Sequence, residues 1–130
     1  MILVSLNRTW PMVLRETHPA KREALAKLYT CYAWPVRPAE EAALPTYADV
    51  LVGIQHGEVV TAYDNLTWRH EEDAERKHEV RQGLPRGWPR IVFDGTKSRQ
   101  WAYLIGMPCP APAPGQWPIR YVATSAVAHG

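Results

Sequence analysis

The sequence predicts an α+β fold built on a small β-barrel with flanking helices. The chain of 130 residues has the usual length of one domain, and 46% of its residues are hydrophobic, enough to bury a core. Strand-like segments recur along it, roughly five or six in all, with one clear amphipathic helix near the start. Because these strands are not interleaved with helices, a barrel is favoured over a doubly wound sheet. We expect residues 1–130 to form a single domain.

The first third of the chain predicts a strand, a helix and a loop. Residues 2–6 are a short apolar run typical of a buried strand, and Pro11 breaks the pattern that follows it. Residues 19–32 carry apolar side chains at helical spacing, with Pro19 acceptable in the first turn, so they predict an amphipathic helix. Residues 35–45 hold three prolines and two glutamates and predict a surface loop.

The strongest local signal is a β-hairpin in residues 49–63, in which apolar segments flank the dipeptide His56-Gly57. Gly57 supplies the positive φ that a two-residue turn requires. Residues 69–81 mix charges of both signs and predict a solvated helix or mobile loop. Residues 90–93 predict a strand closed by Asp94-Gly95, and residues 101–105 are a further apolar segment. Five prolines in residues 108–118 predict an extended surface crossing before a final strand at 119–122.

Composition argues against several functional classes. There is no run of about 18 apolar residues, and residues 2–6 are too short for a signal-peptide core, so we expect a cytoplasmic protein without a membrane partner. Cys31 and Cys109 stand far apart and are expected to be reduced thiols. The five histidines lack zinc spacing, and no phosphate-cradling glycine loop or nucleophile elbow occurs. We therefore predict no metal, no cofactor and no catalytic motif.

Charge and aromatic content point towards a binding protein. The net charge of +2 tolerates a polyanionic partner but does not require one. Six Trp and six Tyr accompany a single Phe. Because Trp and Tyr join a large apolar face to a polar edge, they suit pockets and interfaces as well as cores.

Several segments, taken in order, resemble a prokaryotic family of PUA-like domains related to the EVE and ASCH groups. The opening Ser5-Leu6-Asn7-Arg8-Thr9-Trp10 resembles the start of that family, and Trp34-Pro35-Val36 resembles its tryptophan after the first helix. Similar matches follow in the hairpin up to Trp68, in residues 90–95, in residues 103–106 and in residues 115–122. Met107 and Trp117 stand where the family pattern has Lys and Asn, so ligand contacts of those two groups do not carry over.

The resemblance implies a pseudo-barrel with helices across its openings. Such domains occur as accessory modules in bacterial restriction and phage defence and as stand-alone proteins, and EVE-like relatives hold a flipped, often modified, base in an aromatic cage. The resemblance therefore implies a DNA or RNA partner and recognition of a modified or extruded base.

Base recognition needs aromatic faces for stacking, polar groups for the base edge and cations for the phosphates. Asn7 could pair with a base edge and Arg8 with phosphate, with Trp10 just beyond; the alternative is a strand-end cap with Trp10 in the core.

Four further side chains complete the candidate set. Trp34, Tyr63 and Trp68 could form cage walls, or each could be a core residue. Arg120 alternates with Ile119 and Tyr121, so its side chain should face the opposite way, towards a phosphate or a partner acid such as Asp94.

Two other functions stay open. The first is an ASCH-type small amidohydrolase acting on a modified nucleoside, which would need Lys, Glu or Thr side chains in the barrel mouth; Lys97 and Glu58 are available. The second is a phage-encoded inhibitor or other protein-interaction module that uses the proline crossing and exposed Trp residues.

Overall fold

The computed structural model describes residues 1–72, 90–111 and 118–127. Within them the chain forms three α-helices and six strands: β1 (Ile2–Ser5), α1 (Trp10–Arg15), α2 (Pro19–Cys31), β2 (Trp34–Pro35), α3 (Pro38–Tyr47), β3 (Leu51–Gln55), β4 (Glu58–His70), β5 (Arg90–Lys97) and β6 (Ile119–Tyr121). Short 3-10 helices occupy Ala102–Leu104 and Thr124–Ala126. None of the helices in this part of the chain is long and apolar enough to cross a membrane.

The strands form one mixed sheet in the order β2-β5-β4-β3-β1-β6, which curls into a nearly closed barrel. β1 pairs with β3 in parallel, whereas β3 with β4, β4 with β5, β2 with β5 and β1 with β6 are antiparallel. The predicted α+β class with a small barrel is therefore confirmed.

The predicted hairpin is formed by β3 and β4. His56 and Gly57 make its two-residue turn, with φ angles of 48° and 78°, the positive values that the primed turns of hairpins need. β4 continues well beyond the predicted end at residue 63, through an irregularity between Asp64 and Thr67. This long strand lets β4 pair first with β3 and then with β5, which bends the sheet towards closure.

Apolar side chains fill both faces of β1, as expected for a continuous apolar run. Ile2 and Val4 belong to a large core cluster under the helices, which includes Trp34 and Tyr63. Leu3 belongs to a second cluster on the other face.

The second cluster is covered by the segment after β5. Residues 101–105, which the sequence suggests as a further apolar segment of the barrel, add no strand to it. They contain the 3-10 helix Ala102–Leu104, and Trp101 and Leu104 pack on the outer face of the sheet beside Leu3 and Val52.

Residues 35–45 are not the predicted surface loop. Most of them belong to α3, which starts at Pro38, where the missing N–H costs no helical hydrogen bond. The Glu40 carboxylate accepts a hydrogen bond from the Arg37 backbone N–H at 3.4 Å, and Leu44 is completely buried. Pro45 lies inside the helix, so the number of prolines in this segment does not distinguish a helix from a loop.

Pro11 also begins a helix instead of breaking a pattern. It lies in the first turn of α1, and Val13 faces the core. The helix predicted at residues 19–32 is confirmed as α2, with Tyr29 buried, although Leu28 of the predicted apolar face is 42% exposed.

Two predicted segments fall mostly outside the described residues. Of residues 69–81, Arg69 and His70 end β4, and residues 73–81 lie outside the described part. Of the proline-rich segment 108–118, residues 112–117 lie outside it as well. Pro108 forms a bridge with Glu58, and the Cys109 N–H donates to the Gly57 carbonyl oxygen at 2.7 Å, so this segment starts alongside the hairpin turn.

Both cysteines are free thiols, but their surroundings differ. Burial raises the pKa of Cys31 to about 12. Cys109 is half-buried, and Arg120 donates a hydrogen bond to its sulfur at 3.4 Å. Because the thiolate is the reactive form, we expect iodoacetamide at pH 8 to modify Cys109 in the folded protein and to spare Cys31. Peptide mass spectrometry would locate the label.

The Cys109→Ser variant is the control, and it should stay nearly unlabelled until the protein is unfolded in denaturant. Modification of Cys31 in the native protein as fast as in the unfolded chain would contradict its buried position.

Candidate functional site

A cavity of about 750 Å³ opens between helices α1 and α2 and strands β4 and β5 of the sheet. This volume lies within the range of about 300–1,000 Å³ that is typical of small-molecule sites. We call it the Trp10 cavity. Its lining residues come from α1, α2, β4, the end of β5 and the 3-10 helix region: Trp10, Val13, Thr17, Pro19, Ala20, Arg22, Glu23, Ala26, Val60, Thr61, Ala62, Tyr63, Lys97, Ser98, Ala102 and Ile105.

Trp10 and Tyr63 are the aromatic residues of this lining. Trp10 is the first residue of α1 and is half-buried against the main core cluster, so part of its indole surface stays accessible. Tyr63 is 4% exposed, and burial raises the pKa of its phenol, with the Cys31 thiol and the Glu23 carboxylate adding to the effect. The phenol is therefore neutral at physiological pH and can donate a hydrogen bond.

Arg22 fixes α1, and with it Trp10, against α2. Its Nε donates to the Glu16 carbonyl oxygen at 2.9 Å and its Nη2 donates to the Leu14 carbonyl oxygen at 3.1 Å. A cation at these carbonyls also complements the negative end of the α1 backbone. The guanidinium thus holds the short helix while it lines the cavity.

Acid and base meet at the mouth of the cavity. Lys97, at the end of β5, places its Nζ 2.5 Å from the Glu23 Oε1 of α2. The two side chains are 68% and 65% exposed, so this ion pair is well hydrated. A second ion pair, between Lys27 and Asp94 at 2.8 Å, joins the same two elements outside the cavity lining.

Two threonines connect α2 to β4 at the floor of the cavity. The Thr30 hydroxyl donates to the Ala26 carbonyl oxygen at 2.7 Å. The Thr30 and Thr61 hydroxyl oxygens are 2.9 Å apart, so the Thr61 hydroxyl is the donor to Thr30. The Thr61 hydroxyl proton is therefore already used in a hydrogen bond within the protein, and this bond holds the floor of the cavity in place.

Two of the predicted cage residues lie elsewhere. Trp34 is 2% exposed, and its indole Nε1 donates to the Thr30 carbonyl oxygen at 2.7 Å, so it is a core residue and does not line the cavity. Trp68 is half-buried on the far half of β4, opposite Phe93, and also lies outside the cavity. Trp34 is therefore a core residue, whereas Trp68 is only partly buried against the main core cluster.

The predicted polar residues are not gathered around the cavity either. The Asn7 side-chain oxygen accepts a hydrogen bond from the His56 backbone N–H at 2.7 Å, which makes it a brace for the hairpin turn. Arg8 is exposed and lies outside the cavity lining. Arg120 faces away from Ile119, as its alternation predicts, and contacts Cys109 on the other side of the sheet.

Sequence reasoning missed Arg22 and Glu23, and it weighed Lys97 for the amidohydrolase alternative alone. Glu58, the other residue weighed for that alternative, is the first residue of β4, directly after the hairpin turn, and does not line the cavity. The i, i+1 pair of opposite charges in the second turn of α2 was the available signal.

Comparison with protein-family models, with curated proteins and with solved structures finds no match for this chain. Among the described residues, no three His, Cys, Asp or Glu side chains lie close enough together to hold a metal ion. The geometry of the Trp10 cavity therefore carries the functional argument.

Proposed function

We propose that this chain is a nucleic-acid-binding module of the PUA-like kind that receives one nucleobase, plain or modified, in the Trp10 cavity. The base would come from a single strand or be extruded from a duplex. One observation carries the proposal: the half-buried indole of Trp10 lines the same cavity as two cationic side chains, Arg22 and Lys97.

Each part of the cavity suits one part of a nucleotide. The Trp10 face can stack on a base, because every base has a π-face. The neutral Tyr63 phenol is a donor for an acceptor on the base edge. Arg22 and Lys97 supply positive charge for the flanking phosphates. The resemblance to PUA-like domains supports the same ligand class, and the role in prokaryotic phage defence is proposed on that resemblance alone.

The proposal predicts that Trp10→Leu weakens oligonucleotide binding by about five- to 150-fold, since stacking on an aromatic side chain contributes about 1–3 kcal/mol per base. Trp10→Phe keeps an aromatic face and should recover most of the affinity. The measurement is calorimetric titration with short single-stranded DNA and RNA, plain or carrying one methylated cytosine, at two salt concentrations. Affinity should fall as salt rises.

Trp68→Leu is the matched control, because it removes another half-buried indole that packs on the same core cluster but lies outside the cavity. It should leave binding unchanged. If the folded wild-type protein binds none of these oligonucleotides, or if Trp68→Leu weakens binding as much as Trp10→Leu does, the proposal is wrong. Release of free nucleoside from an N-acylated nucleoside in parallel samples would instead favour the amidohydrolase alternative.

A further inference from the structure

The ion pair between Glu23 and Lys97 lies where a bound nucleotide would enter the Trp10 cavity. Both side chains line the cavity, one from α2 and one from the end of β5. The Glu23 carboxylate thus forms an ion pair with the Lys97 ammonium, to which a phosphate of the ligand would otherwise bind.

This pair can be exchanged at little cost. Its two side chains are about two-thirds exposed, and solvent-exposed ion pairs contribute only about 0–1 kcal/mol. A phosphate oxygen offers Lys97 the same kind of charge-assisted hydrogen bond that the carboxylate does. A phosphate arriving at the mouth could therefore replace Glu23 without disturbing the fold.

Arg22 differs from Lys97 in this respect. Two of its five N–H donors are bound to the carbonyl oxygens of Leu14 and Glu16 at the C-terminal end of α1, and neither of these partners is an anion that a phosphate would need to displace. The mouth therefore combines one fixed cation with one cation whose partner can change.

We propose that Glu23 sets the selectivity of the Trp10 cavity for negative charge beside the bound base. A phosphate flanking that base displaces the Glu23 carboxylate from Lys97, so the site prefers ligands with charged phosphates over uncharged equivalents, and Glu23 limits the size of that preference. This inference rests on the proposed base-binding function and adds to it a residue that tunes phosphate recognition.

The test compares two trinucleotides of one sequence, one with phosphodiester linkages and one with uncharged methylphosphonate linkages. Their affinities for the wild-type protein, for Glu23→Gln and for Lys97→Gln are measured by calorimetry at low salt. We expect the phosphodiester form to bind more tightly to the wild-type protein. Glu23→Gln should increase the ratio of the two affinities by about two- to fivefold, and Lys97→Gln should decrease it by a similar factor.

The double replacement Lys27→Gln with Asp94→Asn is the matched control. It removes the other ion pair between α2 and β5, which lies outside the cavity lining, and should leave the ratio unchanged. A change of this ratio in the control would show that loosening α2 from β5 is enough to alter selectivity, which would contradict a specific role of Glu23.

The outcomes separate the two proposals. If both trinucleotides bind with equal affinity, and neither single replacement alters the ratio, the role of Glu23 is refuted while base binding stands. If neither trinucleotide binds to the folded protein, both proposals fall. If Glu23→Gln weakens the phosphodiester form selectively, Glu23 contacts the ligand directly and the inference is wrong.

Discussion

Replacing Trp34 with alanine is expected to lower the free energy of unfolding by about 3–5 kcal/mol, the range for removing a large aromatic side chain from a core. The indole is 2% exposed and belongs to the main core cluster. Its N–H also satisfies the Thr30 carbonyl oxygen, which would lose a buried hydrogen bond. Because small domains have a total stability of about 5–15 kcal/mol, this loss would be a large fraction of the whole.

Equilibrium unfolding in urea, followed by far-UV circular dichroism, would measure this change. Trp68→Ala is the comparison, and it should cost clearly less because Trp68 is only half-buried. Equal losses for the two variants would contradict the assignment of Trp34 to the core. A Trp34→Ala protein of wild-type stability that had lost oligonucleotide binding would favour the cage role that the sequence suggested.

Gly53→Val is expected to destabilise the protein by about 3 kcal/mol or more. A Cβ at this position would come within 2.5 Å of the Leu6 Cδ1 and closer still to the Thr61 Oγ1. Leu6 is fully buried, and Thr61 is held by its hydrogen bond to Thr30, so neither can move aside. Adding carbon atoms to a packed core costs about 1–3 kcal/mol when the neighbours can adjust, and more when they cannot.

Gly57→Ala isolates the contribution of backbone conformation. An added Cβ there meets no atom within 4 Å, and its φ of 78° is the one source of strain. A cost of about 1 kcal/mol is therefore expected at Gly57. Thermal and urea unfolding of both variants would test the contrast, and a Gly53→Val protein no less stable than Gly57→Ala would show that the core at this point can rearrange.

The sequence predicted elements well where the signal is local. The hairpin around His56-Gly57 follows from a turn that needs positive φ, and α2 follows from helical spacing. Prolines misled the prediction at α1 and α3, because Pro11 and Pro38 stand in first turns, where proline is compatible with a helix. Whether a proline starts or stops a helix depends on where the chain enters it, and composition does not contain that information.

The candidate site was harder to predict than the fold. Trp10 and Trp34 have similar sequence settings, each beside a proline, yet one lines a cavity and the other is a core residue. Their difference arises from packing between distant parts of the chain. The same holds for Glu23 and Lys97, which become neighbours only because α2 lies across the end of β5.

Helix α3 is connected to both edge strands of the sheet, β2 and β6. The helix begins just after β2, and its last residue, Tyr47, has its ring centroid 5.5 Å from that of Tyr121 in β6. The outermost strands of the sheet are only two and three residues long, and Pro35 has no N–H to offer. Within the described part of the chain, β2 and β6 therefore offer an incoming strand few backbone groups to pair with, which disfavours edge-to-edge association at these two strands.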